Sequence, residues 1–92
     1  MAKPARKNVK ELEDLPNIGK SIAADLRSIG IQRPVQLRGK NPRARYEKVC
    51  RVTSERQDPC LLDVFISAVR YMEGGPPLPW WKFTAARKRM VS

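Results

Sequence analysis

The strongest periodic signal in the sequence is an apolar run that begins just after Asp58 and Pro59 and ends before Gly74 and Gly75. A capping residue followed by proline is a helix start signal, and a glycine pair is a stop signal. Between these limits, apolar side chains recur at the spacing of one helix face: Leu61, Val64, Phe65, Ala68, Val69 and Met72. The sequence therefore predicts a helix here, the fourth along the chain, with a buried face.

Two further helices are predicted early in the chain, joined by a very short connection. Asn8 and Glu11 form a capping pair for the first helix, and Pro16 ends it. Gly30 closes the second helix as a C-cap. Their buried faces are marked by Val9, Leu12 and Leu15 in the first helix and by Ile22, Ala23, Leu26 and Ile29 in the second. Only residues 16–18 separate the two helices, so we expect them to pack antiparallel or nearly so.

A third helix is predicted to begin at Asn41 and Pro42, which repeat the start signal of a polar residue before proline. Its buried stripe is Tyr46, Val49 and Cys50. The prolines of segment 76–79 force an extended path after the fourth helix, from which Trp80, Trp81 and Phe83 fold back over the helices. No strand-like alternation occurs. The predicted fold class is therefore all-α: a single compact domain of about four helices, closed by a Pro/Trp-rich C-terminal segment.

Charge is concentrated in three parts of the chain. The 92 residues carry 19 Lys and Arg against nine Asp and Glu, a formal net charge of +10. Basic tails at 1–7 and 85–92 flank the predicted domain, residues 8–84, and hold six of these charges without an acid. Segment 20–51 holds nine basic residues against two acidic ones, a net +7. Such clustering predicts a polyanionic partner, nucleic acid first, and the alternative is a merely solvated basic surface.

Composition excludes several other function classes. The chain has no His and two Cys, which removes His-based catalysis and leaves too few ligands for a Cys/His zinc site. We therefore expect no enzymatic activity, no metal and no cofactor. No apolar run approaches the roughly 20 residues that span a bilayer, and the start MAKPARK lacks a secretory apolar stretch. These features predict a cytoplasmic protein without a membrane partner.

Residues 12–31, LEDLPNIGKSIAADLRSIGI, resemble the helix-hairpin-helix motif. The matching positions are Leu15, Pro16, Ile18, Gly19, Ala23, Leu26 and Gly30. A tight hairpin exposes backbone N–H groups at a helix start, where unpaired donors and the helix dipole favour an anion. We expect Gly19, which lacks a Cβ, to let a phosphate reach the backbone, and Ile18 to hold the hairpin in the core.

The expected nucleic-acid-binding residues are Asn17, Gly19, Lys20, Ser21, Arg27, Lys48 and Arg51. Lys20 lies beside the helix start, and Arg27 follows two turns later on the same outward face, so both would bracket a nucleic-acid backbone. The motif usually has Gly where this chain has Asn17. Asparagine tolerates a positive φ, so we expect the turn to form, while the side chain either crowds the phosphate or bonds to it. Nothing in the motif reads base edges, so no sequence specificity is expected.

Two strings outside the hairpin are more specific: Asp-Pro-Cys at 58–60 and Leu-Pro-Trp-Trp at 78–81. Together with NPRARYEKVC at 41–50, they resemble the small pathogenicity-locus family of helix-hairpin-helix proteins, some of which are labelled mitomycin-resistance proteins. The resemblance implies a bacterial cytoplasmic protein with a DNA-binding fold. We therefore expect a non-catalytic, non-sequence-specific protein that contacts the phosphate backbone of DNA rather than RNA, with a link to DNA repair or stress resistance.

Other functions stay open at this point. A hairpin that only packs would belong to a protein-interaction or accessory module, and a homodimer would present a second copy of the site. Cys60 falls in the first turn of the fourth helix, where the dipole lowers a thiol pKa, so a thiol-based activity with Cys50 is an alternative to two core cysteines. Trp80 and Trp81 either stack on unpaired bases or close the core as a lid.

Overall fold

Four α-helices make up most of the molecule in a computed structural model that describes residues 9–91, with side chains described for residues 9–89. They are α1 (Lys20–Ser28), α2 (Pro42–Thr53), α3 (Cys60–Met72) and α4 (Thr84–Val91). Three 3₁₀ turns lie at Leu12–Asp14, Pro34–Leu37 and Trp80–Phe83. Residues 9–91 contain no β-strand, so the all-α prediction is confirmed. None of the helices in this range is long and apolar enough to cross a membrane.

Helix α3 forms the centre of the fold, because every residue from Leu61 to Val69 is buried. The predicted stripe faces the main core, which α1, α2 and the turn at 34–37 complete. Two residues outside that stripe, Leu62 and Ile66, pack with Phe83 in a second cluster on another side of the helix. The C-terminal segment therefore covers a face of α3 that the periodicity alone left exposed, and the helix is enclosed from both sides.

The predicted first α-helix is wrong for the part of it that the structure describes. Residues 9–15 contain only the 3₁₀ turn at Leu12–Asp14. The Asp14 carboxylate accepts the backbone N–H groups of Lys10 and Glu11 at 3.1 and 3.0 Å, which closes the turn locally. Proline at position 16 then disfavours helical geometry in the residue before it, so the segment has no room for an α-helix. Leu12 and Leu15 are nevertheless buried as expected, whereas Asn8 lies outside the described residues.

Residues 85–91 of the predicted basic C-terminal tail form most of α4. This helix packs against α3 and the turn at 80–83, and Phe83 is buried below the guanidinium of Arg70, whose carbon lies 5.6 Å from the ring centroid. Trp80 is half-buried against the core, which confirms the lid interpretation for that residue, while Trp81 is 59% exposed. The predicted basic tail at 1–7 lies outside the described residues.

Candidate nucleic-acid interface

The hairpin before α1, residues 15–19, is held by a backbone hydrogen bond and by the buried side chain of Ile18. Asn17 has a φ of 68°, so the left-handed conformation expected at this position is confirmed. The N–H of Ile18 donates to the carbonyl of Leu15 at 3.3 Å, and the Ile18 side chain is buried in the core. Gly19, the next residue, is exposed. The hairpin therefore presents the first turn of α1 to solvent.

Helix α1 begins without a side-chain cap. The carbonyl of Gly19 accepts the N–H of Ala23 at 3.0 Å, but no side chain bonds to the N–H groups of the first turn. Those groups carry the positive end of the helix dipole. Lys20 and Ser21 are exposed beside them, and within residues 9–91 Lys20 forms no ion pair. The three central residues of the predicted anion site are thus together and accessible.

Gly19 is not required by the conformation of the chain. Its φ is −102°, which any residue can adopt, and a Cβ placed there would meet no atom of the described chain within 4 Å. The glycine therefore leaves open space in front of the helix start without solving a problem of internal packing. Open space at that point is what an approaching phosphate oxygen needs.

The side chain of Asn17 is engaged inside the fold. Its Nδ2 donates to the Oγ of Ser67 at 3.0 Å and to the carbonyl of Leu78 at 2.9 Å. The Ser67 hydroxyl, fully buried in α3, donates to the same carbonyl at 3.2 Å. Asn17 therefore ties the hairpin to α3 and to the proline-rich segment, a role that sequence reasoning missed. The available signal was Ser67, a polar residue inside an apolar helix.

Arg27 is paired with carboxylates from the first described turn. Its two terminal nitrogens donate to the two carboxylate oxygens of Glu13 at 2.9 and 3.2 Å, and Glu11 lies at 3.8 Å. Hydrogen bonding by Arg27 holds the pKa of the Glu13 carboxyl below its usual value, and the same bond raises the pKa of Arg27. The side chain fastens α1 to the preceding turn, so part of its charge is balanced within the fold.

Lys48 and Arg51 are exposed on α2, a helix that packs against α1. Arg51 lines a groove of about 610 Å³ together with Arg43 and Arg56, and none of the hairpin residues contributes to this groove. The Nε of Arg43 also pairs with Glu47 at 3.0 Å. Arg51 therefore lies on a separate surface of α2 that no hairpin residue lines, and Lys48 is exposed on the same helix outside that groove.

Cys60 does not have an activated thiol. It is the first residue of α3, and the Oδ1 of Asp58 accepts its backbone N–H at 2.8 Å. A hydrogen bond with the Asp58 carboxylate, together with burial, raises the pKa of the Cys60 thiol. The expectation of a lowered pKa is therefore wrong, because a negative charge at the helix start outweighs the dipole there. Cys50 and Cys60 are both free thiols, and the Cys50 sulfur accepts the N–H of Gln57 at 3.4 Å.

A buried polar cluster joins α3 to α4, and sequence reasoning missed it as well. Asp63 is fully buried, and its carboxylate accepts the Thr84 hydroxyl at 2.8 Å and the Nε of Arg87 at 2.9 Å. The signal in the sequence was a single acid within an otherwise apolar helix, which requires a cation from elsewhere in the fold. This cluster explains why the basic C-terminal segment is packed as a helix.

Two comparisons with known proteins, one with a family profile and one with a single relative, each match most of the chain. A protein-family profile described as "Pathogenicity locus" matches residues 5–89. Mitomycin resistance protein McrB from Streptomyces lavendulae is 43% identical over 82 residues, which covers 89% of this chain and 78% of that protein. No solved structure matches the chain.

Proposed function

The chain belongs to the pathogenicity locus family, and we propose that it binds DNA through its phosphate backbone, without catalysis and without reading the sequence of a duplex. The observation that carries this proposal is the uncapped, exposed start of α1 behind Gly19. A phosphate oxygen there would accept backbone N–H groups and lie beside the Lys20 ammonium and the Ser21 hydroxyl. DNA as the partner would place the protein in the cytoplasm.

The distribution of charge also supports a phosphate site near the start of α1. Segment 20–51, which includes α1 and most of α2, is net +7, and two of its charges, Lys48 and Arg51, are exposed on the helix packed against α1. A hairpin that touches two or three phosphates gives a shallow salt dependence and a dissociation constant of roughly 10⁻⁴ to 10⁻⁶ M. Contacts from α2, or a second copy of the chain in a homodimer, would raise occupancy through added valency.

Two predicted residues contribute less directly to this proposal than the others. The Asn17 amide donates hydrogen bonds to Ser67 and to the carbonyl of Leu78, and Arg27 is bound to Glu13. Both shape the hairpin and its attachment to the rest of the fold. The phosphate site of the proposal is therefore the first turn of α1, with Gly19, Lys20 and Ser21 at its centre.

The biological setting that we propose is DNA repair or stress resistance. The Streptomyces lavendulae relative is named for resistance to mitomycin. A protein that binds DNA without sequence preference suits a role at damaged or exposed DNA, whose position in the genome is not fixed. Expression of the chain in a sensitive bacterial host, followed by survival on mitomycin with and without the Lys20→Glu change, tests this setting.

The binding proposal is tested by titration of a labelled duplex at rising salt. We expect the logarithm of the binding constant to fall against the logarithm of salt concentration with a slope of about −2 to −3. Lys20→Glu should weaken binding and reduce the slope by about one, since it removes one phosphate contact. Lys88→Glu is the matched control, because Lys88 is exposed on α4, which packs against α3, and makes the same change in net charge.

Two results would contradict the proposal: a binding constant that does not respond to salt, or equal losses in the Lys20 and Lys88 variants. The second result would mean that only overall charge attracts DNA. Retention of binding by Lys88→Glu with loss in Lys20→Glu would support the first turn of α1 as the site.

A protein-interaction module is the second candidate function, and two exposed apolar side chains favour it. Leu78 is 37% exposed and Trp81 59% exposed, both in the segment that Asn17 ties to the hairpin. Large exposed aromatic side chains are enriched at protein interfaces. A partner recovered by pull-down that survives nuclease and high salt, and is lost with Trp81→Ala, would support this function over DNA binding.

A further inference from the structure

A second groove opens directly beside the start of α1. It has a volume of about 470 Å³ and lies between α1, the start of α3 and the indole of Trp80. Its lining includes Ser21, Ile22, Asp25, Asp58, Val64 and Trp80. Ser21 belongs both to this groove and to the first turn of α1, so the groove is continuous with the proposed phosphate site.

The groove has apolar lining from Ile22, Leu61, Val64 and Trp80, and its other six lining residues are polar, including the carboxylates of Asp25 and Asp58. Ile22 and Trp80 are half-buried and pack against the core, which fixes their positions. Buried Val64 of α3 adds to the apolar lining. Apolar side chains that lie next to hydrogen-bond acceptors suit a flat ring system whose edge carries hydrogen-bond donors.

Of the two carboxylates in the lining, Asp58 accepts the backbone N–H of Cys60, and Asp25 is the one without such a bond among the described residues. Its carboxylate makes no hydrogen bond or ion pair within residues 9–91, although the chain carries 19 Lys and Arg. Burial raises the pKa of this carboxyl, because the charged form loses solvation without gaining a donor. A partly exposed carboxylate without an internal partner is free to accept hydrogen bonds from a ligand in the groove.

We propose that the groove holds an unpaired guanine base of the DNA strand whose phosphate lies at the start of α1. The proposal rests on the proposed function, and it names the part of the DNA that the site takes. The Watson–Crick edge of guanine presents two adjacent N–H donors, which match the two oxygens of the Asp25 carboxylate. Its ring system occupies the apolar slot next to Trp80, where stacking or edge contact excludes water.

The spacing along α1 agrees with this arrangement. Ser21 and Asp25 are four residues apart on one face of the helix, a separation of about 6 Å. A nucleotide with its phosphate at the first turn can therefore extend its base toward Asp25 along the same face. A paired base in a duplex is stacked and its Watson–Crick edge is occupied, so only an unpaired base can enter.

The consequence is a preference for single strands that contain guanine. The test uses a labelled dT strand of about eight nucleotides with one central dG, compared with the same strand carrying deoxyinosine at that position. Inosine differs from guanosine only by the missing 2-amino group. Fluorescence anisotropy should show binding of the dG strand about five-fold or more tighter than that of the inosine strand.

The variant Asp25→Asn should abolish the difference between the dG and inosine strands, since the amide offers one acceptor oxygen where the carboxylate has two. Glu55→Gln is the matched control, because Glu55 is exposed outside the groove and the net charge changes equally. Helical circular dichroism of Asp25→Asn verifies that it folds. In a Trp81→Phe background, quenching of Trp80 fluorescence by the dG strand, and not by a blunt duplex, reports occupation of the groove directly.

Failure of this proposal differs from failure of DNA binding. Equal binding of the dG and inosine strands, with Asp25→Asn behaving like Glu55→Gln, would overturn the guanine site while duplex and dT strands still bind. Absence of binding to every strand and to the duplex would overturn both. A dG preference that Asp25→Asn removes and Glu55→Gln retains would establish the guanine site.

Discussion

The hairpin before α1 and the junction between α3 and α4 use polar groups in opposite ways. At the junction, buried Asp63 has two internal donors, from Thr84 and Arg87. At the hairpin, the Asn17 side chain is satisfied internally, whereas within the described part of the chain the first turn of α1 has no side-chain cap. The difference separates polar groups that hold the fold together from those that are available to a ligand.

The other helix starts sharpen this contrast. The Asn41 Oδ1 accepts the N–H groups of Arg43 and Ala44 at 2.9 and 3.2 Å, which caps α2. The N-cap residue of α3, Pro59, provides no side-chain cap, but the preceding Asp58 accepts the N–H of Cys60 at 2.8 Å. Helix α1 differs from both, because no side chain of the described residues caps its start, and a helix start that the chain does not cap itself is available to an anion from outside.

The largest expected effect is at the junction, from Arg87→Ala. Removal of the guanidinium leaves the Asp63 carboxylate buried without its counter-ion, so we expect the free energy of unfolding to fall by about 3 to 5 kcal/mol. Chemical denaturation followed by circular dichroism measures the change. Lys88→Ala, one residue along and exposed, should change stability by less than about 0.5 kcal/mol. Equal stability of the two variants would mean that the junction does not hold α4.

A smaller loss of folding stability is expected from Asn17→Gly at the hairpin. The variant removes the amide donors to Ser67 and Leu78 but relaxes a positive φ, so the net destabilisation should be about 1 kcal/mol. Binding to duplex DNA should be unchanged, because the Asn17 amide is engaged inside the fold. A loss of affinity as large as that of Lys20→Glu would instead place Asn17 in the phosphate site.

Gly19→Ser should change stability and binding in opposite directions. A serine side chain would cap the first turn of α1 without a clash, and we expect a gain of a few tenths of a kcal/mol in stability. DNA affinity should fall, because the hydroxyl competes with phosphate for the same N–H groups. Thermal unfolding and the duplex titration measure the two effects. A serine variant that binds DNA as tightly as the original chain would contradict an anion site at this turn.

The smallest expected effect is on the reactivity of the Cys60 thiol, which lines the groove beside α1. Since the Asp58 carboxylate raises the Cys60 pKa, Asp58→Asn should lower it and speed alkylation of Cys60 near neutral pH, where more thiolate would then be present. The difference should vanish at pH well above the pKa of both forms. Mass spectrometry of iodoacetamide labelling in a Cys50→Ser background measures the rates. A slower or unchanged rate in Asp58→Asn would show that another group controls the thiol.

Much of the fold is readable from local patterns in the chain. The buried stripe of α3, the caps at Asn41 and Asp58, and the positive φ of Asn17 depend on neighbouring residues and were all predicted correctly. The first helix was predicted wrongly because the same local signals allow a single 3₁₀ turn, which Glu11 and Asp14 close as a capping pair.

The candidate site is only partly readable in this way. Gly19, Lys20 and Ser21 are consecutive, so their common position at a helix start follows from the motif. Whether a charged side chain of α1 is paired depends on residues outside the helix. Arg27, for example, is paired with Glu13, fourteen positions earlier. Among the side chains of residues 9–89, none pairs with the Asp25 carboxylate, which no pattern within α1 reveals.

By itself, the sequence determined the helical class, the central apolar helix and the exposed hairpin, because helix propensity, capping and apolar periodicity act between residues a few positions apart. The tertiary structure alone decided which polar groups are satisfied. Asn17 bonds to residues 50 and 61 positions away, and Asp63 takes its counter-ion from the segment that the sequence had marked as a basic tail outside the domain. An unpaired polar group in the core costs free energy, so these buried side chains need hydrogen-bonding partners. Only the packing of the helices selects which residue each partner is.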